Sequence, residues 1–168
     1  SVLIPVHLCG SSCDMEAISK LSQKYGFKII EDASHALGGK YKGTYVGSCD
    51  YSDITVFSFH PVKIITTGEG GVATTNNIDY AERLYKLRSH GIEKNHEKFI
   101  RPSDKPWIYE QQMLGYNYRM TDIHASLGIS QLRKLDKFVE ERNEIFRRYK
   151  ELFQSLDFIS FLKVQDNV

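Results

Sequence analysis

The 168-residue chain is 41% hydrophobic and 26% charged, with a formal net charge of +1. Such a chain can bury one ordinary globular core, and its charge balance makes no case for nucleic acid or an anionic membrane surface as partner. No apolar run nears the ~20 residues that cross a bilayer, and Cys9, Cys13 and Cys49 are too few, and odd in number, for a disulfide framework. A cytoplasmic protein is expected, since no signal peptide opens the chain. Cys9 and Cys13 are spaced as in some metal sites, but no second ligand pair follows, so no metal is expected. The chain begins at Ser1 and enters the apolar "VLIPVHL" at once, as a fragment or a processed chain would.

In chain order, Val2–Val6 reads as a short buried parallel strand. Asp14 can cap a helix on which Met15, Ile18, Leu21 and Tyr25 recur at helical spacing, with Gly26 as its stop. Phe27–Ile30 follows as a second buried strand. Together these make a βαβ unit, whose strands should be parallel with a right-handed crossover. The glycine-punctuated "GGKYKGTYVG" suggests a small hairpin, Ile54–Phe59 a further strand and Gly71–Thr75 one more. A helix is expected over Asp79–Ser89, with Leu84 and Leu87 inward and Gly91 at its end. Residues 92–115 show no period, and a loop that long is usually functional or mobile. Thr121–Lys134 reads as helical, and a long helix from Asp136 to about Leu156 offers Phe138, Val139, Ile145, Phe146, Tyr149 and Phe153 on one face.

Chemistry gathers at two strand ends. "FKIIEDASHALG" puts Asp32 just past a buried strand, with His35 three residues on, and "ITVFSFHPVK" delivers Ser58, His60 and Lys63 from another. Ligands of open α/β sheets collect at that edge. Desolvation disfavours an ammonium, and a neutral amine attacks carbonyls to form Schiff bases. Pyridoxal phosphate needs such a lysine, an acid to keep its ring nitrogen protonated, and hydroxyl and backbone donors for its phosphate. The residue types alone leave plainer readings open: Asp32 as a turn or cap, Ser58 as an ordinary strand serine, Lys63 as a solvated lysine. A nucleotide phosphate loop is excluded by Val62, which stands where that pattern needs glycine before the lysine. His90, His96 and His124 lack metal spacing.

Four blocks in order, "EDASHALGGKYKG", "FSFHPVKIITTGEGG", "LRSHGI" and "GYNYRMTDIHASLGISQL", resemble the DegT-type nucleotide-sugar aminotransferases over nearly the whole chain. The resemblance implies the aspartate-aminotransferase fold (fold type I of the pyridoxal-phosphate enzymes). That is an α/β large domain with a mostly parallel sheet flanked by helices, its central part over residues 1–134. Residues 135–168 would form a long helix leading into a small C-terminal domain. The form of the lysine block, followed by "RSHGI", looks most like the branch acting in pseudaminic acid synthesis. That branch acts on a UDP-linked 4-keto-6-deoxy-N-acetyl sugar with glutamate as amino donor.

By the same resemblance, Lys63 would be the Schiff-base lysine and the proton carrier. Asp32 would hold the pyridine nitrogen, His35 would lie near the phenolic oxygen, and Ser58 would bind the phosphate. Asn117 would reach the phosphate of a partner subunit in a homodimer with shared active sites. Residues 92–115 fall where the family has a substrate-side loop, so Trp107 and Tyr109, with His60, are candidate substrate contacts. One branch of the family carries histidine at the lysine position and dehydrates its substrate, and Lys63 argues against it. The family chain is longer. The turn and helix start that cradle the phosphate, and the aromatic that stacks on the ring, are expected before Ser1, so these residues alone are expected to be inactive. The competing expectation is a non-catalytic α/β module that keeps the scaffold for assembly or binding.

Overall fold

A computed structural model describes residues 1–161. In chain order its strands and helices are β1 (Val2–Leu3), α1 (Met15–Tyr25), β2 (Lys28–Asp32), β3 (Lys40–Tyr41), β4 (Thr44–Tyr45), β5 (Ile54–Ser58), β6 (Gly71–Thr74), α2 (Ile78–Arg88), β7 (Ile92–Glu93), β8 (Glu110–Gln111), α3 (Asp122–Leu132) and α4 (Leu135–Phe153). They form two compact units: Ser1–Thr75 with the chain from Asp122 onward, and Asn76–Thr121. No helix among the described residues is long and apolar enough to cross a membrane.

In the first unit a four-stranded sheet has the order β1-β2-β5-β6. The first three strands are parallel and β6 is antiparallel to β5, giving a mainly parallel α/β sheet. The βαβ unit forms as its pattern predicts. The Asp14 carboxylate accepts the Ala17 N–H at 3.2 Å at the start of α1 and the Tyr41 hydroxyl at 2.8 Å. Capping of this kind satisfies amides that a helix start leaves unpaired. Met15, Ile29 and Tyr41 form one buried cluster, while Ala33, Ala36 and Phe57 form a second. The predicted hairpin is β3 and β4, antiparallel across a two-residue turn.

Two expectations need correction. Val2–Val6 is not one buried strand: Val2–Leu3 pairs with β2, Val6 makes an isolated parallel bridge with Asp32, and Val2, Leu3, Ile4 and Val6 are exposed while Pro5 is buried. Among the described residues β1 has a strand neighbour on one side alone, so its apolar content does not translate into burial. Residues 92–115 are also not an open loop. β7 and β8 pair at its base, and the Glu110 carboxylate accepts the Ile100 and Arg101 N–H groups at 2.7 and 2.8 Å.

The second unit is built on α2, capped by the Asn77 side chain accepting the Tyr80 N–H at 3.0 Å. After α2 the chain crosses itself. A Cβ added to Gly115 would lie 2.2 Å from the Gly91 nitrogen, and one added to Gly91 would lie 1.8 Å from the Met113 carbonyl oxygen. Gly91 also has φ +69°, so only glycine fits both the conformation and the approach. The crossing is sealed by His90 N–H to Tyr116 O at 2.8 Å, Tyr116 N–H to Leu87 O at 2.6 Å and Tyr118 N–H to Arg88 O at 2.9 Å.

Candidate active site

β2 and β5 are parallel neighbours, so the segments leaving their carboxyl ends emerge at one edge of the sheet. Asp32 is the last residue of β2. Its N–H donates to Pro5 O at 2.9 Å, its carbonyl accepts the His7 N–H at 3.0 Å, and the next amide, Ala33 N–H, donates to Val56 O at 2.9 Å. The main chain around Asp32 is therefore fixed from the segment after β1 on one side and from β5 on the other.

Hydrogen bonding from Ser34, whose N–H donates to Asp32 Oδ1 at 3.0 Å, holds the Asp32 carboxyl below its ordinary range. Burial opposes this, and the charges of His35 and Lys63 reinforce it to a smaller degree. His35 and Lys63 thus both lie within electrostatic reach of Asp32. Cys9 N–H donates to His35 Nδ1 at 3.3 Å, which leaves Nε2 as the donor of an exposed ring.

Lys63 is half-buried near the tip of the loop from β5 to β6. The loop is closed on itself. Phe59 N–H donates to Gly70 O at 2.8 Å, Thr67 N–H and Thr66 Oγ1 both donate to Phe59 O at 3.0 Å, and Thr67 Oγ1 donates to Glu69 O at 2.7 Å. Ile65 and Thr67 of this loop are buried. A loop with its feet bonded and two of its own residues buried presents its tip rigidly, as a reactive side chain requires. Ser58 is half-buried at the end of β5, its hydroxyl accepting the His60 N–H at 3.4 Å. His60 is exposed, with Nε2 4.0 Å from the Glu69 carboxylate.

Asn117, Trp107 and Tyr109 belong to the second unit. Asn117 forms an antiparallel bridge with Ser89 just beyond the glycine crossing and is exposed. Trp107 and Tyr109 are exposed at 71% and 60%, so neither is a core aromatic within its unit. Tyr109 lines an 830 Å³ cavity together with Tyr85, Lys94 and Arg119.

The sequence reading missed a buried polar network behind Asp32. Glu31 faces away from Asp32, on the same side of β2 as Ile29. One carboxylate oxygen accepts His7 Nε2–H at 2.7 Å, and the other accepts the Thr55 hydroxyl at 2.9 Å and the Ser52 hydroxyl. His7 is wholly buried, and its Nδ1 accepts the Cys13 N–H at 3.2 Å. Burial pushes the Glu31 carboxyl up, but the bonds from His7, Ser52 and Thr55 outweigh it and hold the group below its ordinary range. The signal was present in "KIIED": strand alternation sets Glu31 on the face of buried Ile29, where a carboxylate must find partners.

Fold and loops define an open α/β protein whose charged residues cluster at the carboxyl edge of its parallel strands, the ligand edge of such sheets. The chain belongs to the DegT/DnrJ/EryC1/StrS aminotransferase family, which it matches over residues 1–168. It is 46% identical over 155 residues to an uncharacterized protein of Methanocaldococcus jannaschii, covering 92% of this chain and 39% of that one. It is 45% identical over 157 residues to a UDP-4-amino-4,6-dideoxy-N-acetyl-beta-L-altrosamine transaminase of Campylobacter jejuni, covering 94% of this chain and 39% of the relative. Among solved structures it resembles Helicobacter pylori PseC, an aminotransferase involved in the biosynthesis of pseudoaminic acid. That match has a TM-score of 0.82 at 32% identity, covering 92% of this chain and 38% of that one. The chain therefore spans about two fifths of the length of these relatives.

Proposed function

We propose that the protein carrying this chain transfers an amino group to a nucleotide-linked keto-sugar with the help of pyridoxal phosphate. The observation that carries the reading is the cluster at the strand ends: an ionised Asp32 within electrostatic reach of His35 and of the half-buried Lys63. Family membership and the named transaminase relative support it.

The residues fit the cofactor by their chemistry. Lys63 is a primary amine on a self-bonded loop, Asp32 a carboxylate held ionised by Ser34, and Ser58 a hydroxyl at a strand end. Pyridoxal phosphate, when bound, supplies an electron sink conjugated to the carbon that loses its proton. Lys63 Nζ is the group that would hold the cofactor and would serve as the base and acid for that proton. The Asp32 carboxylate keeps a proton on the ring nitrogen. His35 Nε2 would be the donor for the phenolic oxygen. Ser58 Oγ is a phosphate donor, and the Asn117 amide is another, contributed by a second copy in a homodimer.

The substrate we assign is a UDP-linked 4-keto-6-deoxy-N-acetylhexosamine with glutamate as donor, in surface-polysaccharide or sialic-acid-like sugar synthesis. His60, Trp107 and Tyr109 are its candidate contacts. In the same reading, the helix from Leu135 leads from the large domain toward a small C-terminal domain, and the protein works in the cytoplasm.

The test is turnover by the full-length protein, loaded with pyridoxal phosphate, against UDP- and GDP-linked keto-sugars with glutamate or other amino donors. Amination of the UDP-4-keto sugar with 2-oxoglutarate release is expected. A protein that dimerises but neither takes up pyridoxal phosphate nor turns over any of these sugars would instead be a scaffold module.

A further inference from the structure

We propose that His7, acting through Glu31, is a positioning residue for Asp32. This rests on the reading of Asp32 as the partner of the cofactor's ring nitrogen.

His7 grips the end of β2 twice. Its main-chain N–H donates to the Asp32 carbonyl at 3.0 Å, and its ring donates to the Glu31 carboxylate at 2.7 Å. The Cys13 N–H at Nδ1 fixes the ring's tautomer, since a nitrogen that accepts a backbone hydrogen cannot carry its own proton. The second Glu31 oxygen is held by Thr55 of β5 and by Ser52. One carboxylate thus joins the segment after β1 to β2 and β5, immediately beside the residue whose carboxylate must meet a ring nitrogen.

His7 is fully buried, Glu31 is 5% exposed and Thr55 is fully buried, so bulk water does not reach a group that loses its partner. A buried carboxylate deprived of its donor must move or recruit another group. The backbone it moves is that of Asp32. Misplacement of a reacting or binding group by about 1 Å can cost up to about 100-fold in function. An apolar pair at positions 7 and 31 would serve packing alone, whereas a pair bonded at every polar atom also fixes register and orientation. Nothing in the chemistry assigned to Lys63, Asp32 or Ser58 uses these two residues directly.

Two substitutions separate the ring's two hydrogen bonds. His7→Asn retains an acceptor near the place of Nδ1 for the Cys13 amide but loses the donor to Glu31. His7→Gln retains a donor near the place of Nε2 and loses the acceptor. In the full-length protein, the measurements are the Kd for pyridoxal phosphate, the pH midpoint of its visible absorbance when bound, and Tm. The expected result is that His7→Asn weakens binding about tenfold or more and moves the pH midpoint, while His7→Gln lies near wild type in both. The isosteric Thr55→Val removes a donor from the other oxygen of Glu31 and keeps the test open should His7→Asn fail to fold. It is expected to shift the midpoint in the same direction as His7→Asn.

A lowered Tm with unchanged Kd and midpoint would make His7 a packing residue only. An unchanged midpoint in Thr55→Val, or a His7→Gln variant as impaired as His7→Asn, would equally overturn the route through Glu31. In each of these cases the functional reading would stand, because wild type would still bind the cofactor. Failure of the wild-type protein to take up pyridoxal phosphate overturns that reading, and this inference with it.

Discussion

The Lys63 N–H donates to the His60 carbonyl at 3.0 Å, closing a turn near the tip of a loop whose two feet are themselves joined. The lysine main chain makes the turn and its side chain makes none of these bonds, so the two contributions separate. Lys63→Ala is therefore expected to abolish amino transfer in the full-length protein, with Tm within about 2 °C of wild type, the effect of a surface change of about 0.5 kcal/mol or less. Turnover and thermal melting on the same preparation check it. Turnover near the wild-type rate would remove Lys63 from the covalent role.

Asp32→Asn keeps the side chain's shape and removes its charge. The Ser34 N–H that bonds Oδ1 can still reach the asparagine carbonyl, so little loss of stability is expected. A ring nitrogen left without an ionised partner forfeits stabilisation where it matters most, and a drop of about 100-fold or more in kcat is expected. Cofactor uptake through Lys63 and Ser58 should survive, weakened at least as much as in His7→Asn. Normal kcat in the asparagine variant would leave Asp32 as a strand-end cap.

The βαβ unit was legible because both of its signals are local. Asp14 and Gly26 bracket an amphipathic stretch, and Ile29 and Ile30 mark the strand that follows. Val2–Val6 misled for a non-local reason: apolar residues indicate a strand, but burial depends on what lies on each side of it, and among the described residues β1 has one strand neighbour. Residues 92–115 misled in the opposite sense. Two-residue strands and carboxylate-capped turns have no period to detect, so Glu110 and its bonds to Ile100 and Arg101 leave no trace in a pattern search. Asp32, Ser58 and Lys63 could be placed at or beyond strand ends from the sequence, while the roles proposed for them rest on the family resemblance. The bond from His7 to Glu31 spans 24 positions and depends on strand register, which one sequence does not reveal.

Gly115→Ala tests the crossing that carries Asn117. The added Cβ would lie 2.2 Å from the Gly91 nitrogen and 2.6 Å from the His90 carbonyl carbon, both main-chain atoms that no rotamer change can relieve. Separating the strands breaks the bonds that His90 and Tyr116 make across the crossing. A loss of about 2–4 kcal/mol is expected. Hydrogen exchange should accelerate at the Tyr116 and Tyr118 amides before it does in β2 or β5. Wild-type protection at those amides would mean that the crossing relaxes without cost.

Glu31 should make the fold acid-sensitive in a way that can be isolated. Its carboxyl is buried, yet His7, Ser52 and Thr55 hold its pKa below the ordinary 4.5. A group whose folded pKa is depressed binds fewer protons folded than unfolded. Its contribution to stability is therefore complete above about pH 4.5, and it is lost as the pH falls through the lower folded value. Asp32 and Asp53 are depressed as well, so acid unfolding of the wild type sums several groups and does not identify one. Glu31→Gln removes the titrating group and keeps the shape. Its amide oxygen can accept from His7 Nε2–H, and its amide nitrogen can donate to the Thr55 or Ser52 hydroxyl, which accept as readily as they donate. The variant should therefore fold, be less stable than wild type at pH 7, and lose stability less steeply between about pH 5 and pH 3. Urea unfolding midpoints of both proteins across that range check it. Parallel pH profiles would mean that the Glu31 carboxyl titrates alike in the folded and unfolded chain, so that the bonds from His7, Ser52 and Thr55 do no more than offset its burial.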